Sequence, residues 1–132
     1  MSAHDDAMMR ELLWVAFGGA FGAVTRVLVG TAVTERLGVL LPYGTFVINA
    51  TGCLLIGVIM GGIQTQVLPA GLRPALVVGF LGGYTTFSAF GFETLVLLEE
   101  GHLLLAVVYV LASVLVGLGA VALGLWMGRA LG

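Results

Sequence analysis

The chain contains no lysine; its five basic residues are all arginine, Arg10, Arg26, Arg36, Arg73 and Arg129. No basic run exists that would hold nucleic acid or an anionic lipid surface by polybasic contact. Charge of either sign is scarce. Only 9% of 132 residues carry it, too few for the mixed polar surface that a soluble domain of this size requires. Cysteine is rarer still: Cys53 alone cannot form an intrachain disulfide, and with His4 and His102 far apart no Cys/His cluster offers a metal site. A nucleophile–base pair and a glycine-rich phosphate loop are missing too, which argues against an enzyme or an ATP-driven pump. The opening MSAHDDAMMRELLW puts acids before its apolar run and lacks a small-residue cleavage site, so a cleaved signal peptide is not expected.

What the chain does have is long apolar runs. About 20 residues cross the hydrocarbon core of a bilayer. Four stretches reach that length, at approximately 12–33, 43–63, 72–98 and 103–131, and the connections between them are too short for a soluble domain. The expected architecture is an all-α membrane protein, one domain over residues 1–132 with four transmembrane helices. Glycine pairs at four-residue spacing, Gly18/Gly22, Gly57/Gly61, Gly79/Gly83 and Gly124/Gly128, let helix backbones approach closely.

Arginine counts barely orient the chain. Arg10, Arg73 and Arg129 fall on one side, against Arg36 and the helix-end Arg26 on the other. Two readings follow from so weak a positive-inside signal: one orientation with a cytoplasmic N-terminus, or insertion both ways up with antiparallel pairing of two copies.

Polar side chains inside apolar spans need a partner or a water-lined path, so they point towards function. Span two carries Thr45 and Asn49 and span four Tyr109 and Ser113, each pair four residues apart on one helical face. Span three carries Thr85, Thr86, Ser88 and Glu93, and span one Thr25 and Arg26. A lone hydroxyl is often satisfied by the carbonyl one turn earlier. Asn49 cannot be satisfied so locally and is either interhelical glue or a pore-lining donor. Arg26 can snorkel from its helix end to the interface.

The stretch GGYTTFSAF, residues 82–90, differs in kind. Two glycines and a run of hydroxyls disfavour a continuous helix, and irregular backbone at membrane depth is tolerated only where it is buried in protein or lines a cavity. Such breaks expose carbonyls to a cation and half-helix N-termini to an anion. Phe87, Phe90 and Glu93 follow at three-residue spacing on one face. A phenyl ring has a positive edge, able to contact a small anion without trapping it; the alternative for both rings is plain packing.

These residues together resemble the small Fluc (CrcB-type) fluoride channels. In the first span GGAFGAVTR ends at Arg26, in the second GTFVINATG holds Asn49, and in the third GGYTTFSAF is similar to the family's break. Nearly the whole chain is covered. The resemblance implies a dual-topology antiparallel homodimer in the bacterial cytoplasmic membrane, with the third helix broken mid-membrane. It implies passive export of toxic fluoride and no obligatory protein partner. A structural sodium ion at the dimer centre would be held by backbone carbonyls of Gly82 and Thr85. The fluoride pore would be formed by Phe87, Phe90, Asn49, Ser113, Tyr109, Thr45, Thr86 and Glu93, with Arg26 in a vestibule or at a helix end. The chain departs from the family at Ala89 and Gly117, where members often carry a hydroxyl. The alternative is a small proton-coupled multidrug exporter, also four-helical and dual-topology; it would have to work through Glu93, the one acid inside a span.

Overall fold

The computed structural model describes residues 3–132. It is helical throughout, with four helices long and apolar enough to cross a membrane. Helix α1 runs Ala3–Leu37, α2 Tyr43–Gln64, and α5 Leu103–Arg129. Between α2 and α5 the third span is composite. A 3-10 turn at Ala70–Leu72 leads into α3, which is π-wound over Pro74–Leu81 and α-helical over Gly82–Tyr84; α4 then runs Phe87–Glu99. At 35 residues, α1 is about 52 Å long, well beyond a hydrocarbon core of about 30 Å.

Two glycines end the helices at one end of the bundle. Gly38 takes φ +82° after α1 and Gly101 φ +81° after α4, a left-handed conformation that costs only glycine nothing. At Gly101 the cap is complete: its N–H donates to Leu98 O at 3.0 Å and the His102 N–H to Leu97 O at 2.8 Å. This is a Schellman closure. It turns the chain directly into α5 and fixes where His102 sits.

The four glycine pairs meet two by two. Gly57 and Gly61 of α2 face Gly124 and Gly128 of α5; a Cβ at Gly61 would lie 2.7 Å from Leu125 O and 3.0 Å from the Gly128 Cα. Gly18 and Gly22 of α1 face Gly79 and Gly83 in the same manner. Helix packing in lipid draws on such close approach, since apolar side chains gain little by leaving hydrocarbon. The outer surface is correspondingly apolar, with Trp14, Phe17, Phe21, Leu104, Leu118 and Trp126 all more than 60% exposed. Interior contacts gather in two clusters. Ile48, Leu81 and Tyr84 form one, and Leu97, Ala106 and Tyr109 the other.

The glycines at 82–83 do not unwind the helix, contrary to the expectation from sequence. Gly82 has helical angles (φ −62°, ψ −37°), and only Thr85 (ψ 158°) and Thr86 (φ −150°, ψ 110°) are extended. Gly83 instead lets α1 approach, because a Cβ there would collide with Gly19 O and sit 3.1 Å from Ala23 N. The helical preference lost at a glycine, about 1 kcal/mol, is small beside that packing.

Candidate functional site

The interruption at Thr85–Thr86 is held open by α2. The Thr86 N–H would close a helical turn on the carbonyl of Gly82, but it donates to Asn49 Oδ1 at 2.8 Å. Asn49 Nδ2 in turn donates to Thr86 O at 3.0 Å. One amide side chain thus satisfies both backbone groups of one extended residue, replacing the helical bonds it forgoes. Thr86 then starts α4 as its N-cap, its hydroxyl accepting from the Ala89 N–H at 3.1 Å. Ser88 shares a 3.3 Å contact with the same hydroxyl. Thr85 turns its hydroxyl back to Leu81 O at 2.9 Å.

Beside the break lies a cavity of about 470 Å³, open on one side. Asn49 and Cys53 line it from α2, Gly82 from the end of α3, Thr85 and Thr86 from the break, Phe87 and Phe90 from α4, and Ser113 from α5. Phe87 and Phe90 stand with ring centroids 5.6 Å apart, tilted by 40°. Phe90 also meets the Tyr109 ring, at 5.3 Å. Phe87 is 84% exposed, so the described residues leave most of its ring uncovered. Ser113 Oγ is buried with no hydrogen-bond partner among the described residues.

One turn beyond Phe90, Glu93 accepts from two hydroxyls. Thr45 Oγ1 donates to Oε1 at 2.7 Å, and the Tyr109 hydroxyl donates to Oε2 at 2.8 Å. Thr45 and Tyr109 are themselves buried, at 8% and 3% exposure, so three helices meet at one carboxyl group. The polar residues singled out in the sequence therefore form two adjoining groups along α4. Asn49–Thr86 with Ser113 lies at the first cavity, and Thr45–Glu93–Tyr109 lies past the phenylalanines.

Arg26 stands apart. Helix α1 continues eleven residues past it to Leu37, so it is within a helix and not at its end. It lines a separate groove with Gly30, Thr31, Thr34 and Glu35. The sequence reading missed Gly52 and Cys53 as cavity walls. Both continue the α2 face that Thr45 and Asn49 mark, at i+7 and i+8, and that spacing was the available signal.

Among the described residues no group of three His, Cys, Asp or Glu side chains could hold a metal ion. The donors at the break are of another kind. The Gly82 carbonyl is left without its helical partner, and Thr85 is extended beside it on the same cavity. Carbonyl oxygens of this sort suit a hard cation, though one chain supplies only part of the ligand shell such an ion takes.

Residues 13–125 match the family described as CrcB-like protein, Camphor Resistance (CrcB). The chain belongs to this family. Its relatives include a protein of Acidobacterium capsulatum, 46% identical over 120 residues, covering 90% of this chain and 96% of the other. Another, from Chloroflexus aurantiacus, is 45% identical over 122 residues (92% and 97%), and one from Citrifermentans bemidjiense is 44% identical over 124 residues (93% and 100%). All three are named fluoride-specific ion channel FluC. With four apolar helices and membership of this family, the chain is an integral membrane protein.

Proposed function

We propose that this chain forms a passive, fluoride-selective channel that releases toxic fluoride across the cytoplasmic membrane. The observation that carries the reading is the Phe87–Phe90 pair. It stands directly after the interruption, lines the same cavity as Asn49 and the unpartnered Ser113 hydroxyl, and is followed one turn later by the Thr45–Glu93–Tyr109 group. Hydroxyls, an amide and ring edges in series can replace the water of a small anion without a fixed positive charge that would hold it. The names of the relatives give the ion.

The working unit in this proposal is an antiparallel homodimer, inserted in both orientations. Its support is the open side of the first cavity and the exposure of Phe87, which a second copy would cover. Carbonyls of Gly82 and Thr85 from both copies would hold a sodium ion between them. The ion would supply fixed positive charge that ties together the two interrupted helices. The Asn49 brace does the positioning, by holding Thr86 extended between the two helix halves. The multidrug-exporter alternative is not favoured, because the relatives named above are fluoride-specific channels and the family match covers most of the chain.

The test is purified protein in liposomes loaded with fluoride or chloride, efflux being followed with an ion electrode. Fast fluoride loss with negligible chloride loss is expected. Equal loss of both ions, or loss only under a proton gradient, would overturn the proposal.

A further inference from the structure

A second cavity, of about 440 Å³, opens at the end of the bundle where the last turn of α1, the α1–α2 connection and the C-terminal half of α4 meet. Glu93 lies in its wall, and so do Glu100 and His102. Glu93 on α4 and Glu100, which caps that helix, are seven residues apart, a rise of about 10 Å, and Val96 and Leu97 line the cavity between them. It therefore leads from exposed residues at the helix end down to the carboxyl group held by Thr45 and Tyr109. One turn before Glu93 on the same helix, Phe90 lines the first cavity. Along α4 the order is first cavity, phenylalanine pair, hydroxyl-bound carboxyl, second cavity.

We infer that the second cavity is the mouth of the anion path at this end of the chain, and that Glu100 and His102 set the electrostatic barrier there. The inference rests on the anion-channel reading above. An anion leaving past Glu93 meets one more carboxylate, Glu100, exposed in the wall. His102 is the one lining side chain able to carry positive charge, and the Schellman closure at Gly101 places it there. The other charged groups nearby are outside the wall: Glu99, the last residue of α4, beside Glu100, and Glu35 and Arg36 after Thr34 on α1. Glu100 therefore opposes anion passage, and position 102 is where a change of charge would add to that barrier or lower it.

A unit charge about 10 Å from the path changes the local anion population about twofold in water, and salt screens the effect. Liposome efflux of the full-length protein at about 10 mM and about 1 M background salt tests the assignment. At low salt, Glu100→Gln should raise the fluoride rate about twofold and Glu100→Lys about fourfold, while His102→Glu should lower it about twofold. All three changes should collapse at high salt, where the screening length is about 3 Å. Glu11→Gln makes the same charge change at the other end of α1 and should have the smaller effect. Unchanged rates in both Glu100 variants, with the wild type conducting, would overturn the mouth assignment and leave the channel reading standing. An equal rise in Glu11→Gln would overturn it too, by reducing the effect to net charge. A wild type that moves no fluoride would overturn the channel reading itself.

Discussion

Asn49 grips Thr86 at both ends of its peptide, donating to the carbonyl at 3.0 Å and accepting from the N–H at 2.8 Å. Removing one partner of a buried hydrogen bond leaves the other unsatisfied, at about 1–3 kcal/mol. Asn49→Leu removes both bonds, and Asn49→Asp sets a carboxylate oxygen against the Thr86 carbonyl, so both variants should be less stable than wild type. Fluoride efflux should fall in both variants. Thermal melting of the purified variants checks the loss; a Leu variant as stable as wild type would show that the break holds itself.

The Thr45–Glu93–Tyr109 group should behave as a coupled unit. Tyr109→Phe and Thr45→Val each free one oxygen of Glu93, and each should cost about 1–3 kcal/mol. Because the two hydroxyls share one carboxyl, the double variant should depart from additivity by about 0.5–3 kcal/mol. A double-mutant cycle on melting temperature and fluoride rate measures it. Strict additivity would mean that the two hydroxyls act independently.

The four-helix plan was legible because apolar length is a local property, and four stretches in this sequence have it. The polar residues were legible as a set for the same reason: an Asn or a Glu in an apolar span stands out. Their partners were not. Thr45 and Glu93 are 48 residues apart in sequence, as are many pairs that never meet, and only the helix crossing brings them together. The extent of the interruption is not legible in the glycines, because Gly83 serves close packing on α1 and not unwinding. For Arg26 the sequence offers a vestibule or a helix end; the helix end does not hold, because α1 continues past it through Thr34–Glu35–Arg36 to Leu37.

The α2–α5 seam predicts sharp positional sensitivity to a single methyl group. Gly61→Ala would set a Cβ 2.7 Å from Leu125 O and 3.0 Å from Arg129 N, both backbone atoms of α5 that cannot swing aside. Overpacking of that kind costs about 1–3 kcal/mol. Gly119→Ala, on the same helix pair, meets nothing within 4 Å and should be neutral or stabilising by about 0.5–1 kcal/mol. Melting curves of the two variants separate the cases, and equal losses would contradict the seam.

The two phenylalanines should separate in a way that distinguishes conduction from packing. Phe90 has a buried neighbour, the Tyr109 ring at 5.3 Å, while Phe87 is 84% exposed within its chain. Phe90→Ala should therefore lower both the fluoride rate and the stability, the latter by about 3–5 kcal/mol at most, since the site is only partly buried. Phe87→Ile should lower the fluoride rate at least tenfold with little change in the stability of the individual chain, because little intrachain packing is lost. Efflux and melting measured on the same preparations give both quantities. If Phe87→Ile conducts at the wild-type rate, the ring edge is not part of the path, and Phe90 with the hydroxyls behind it must carry the anion alone.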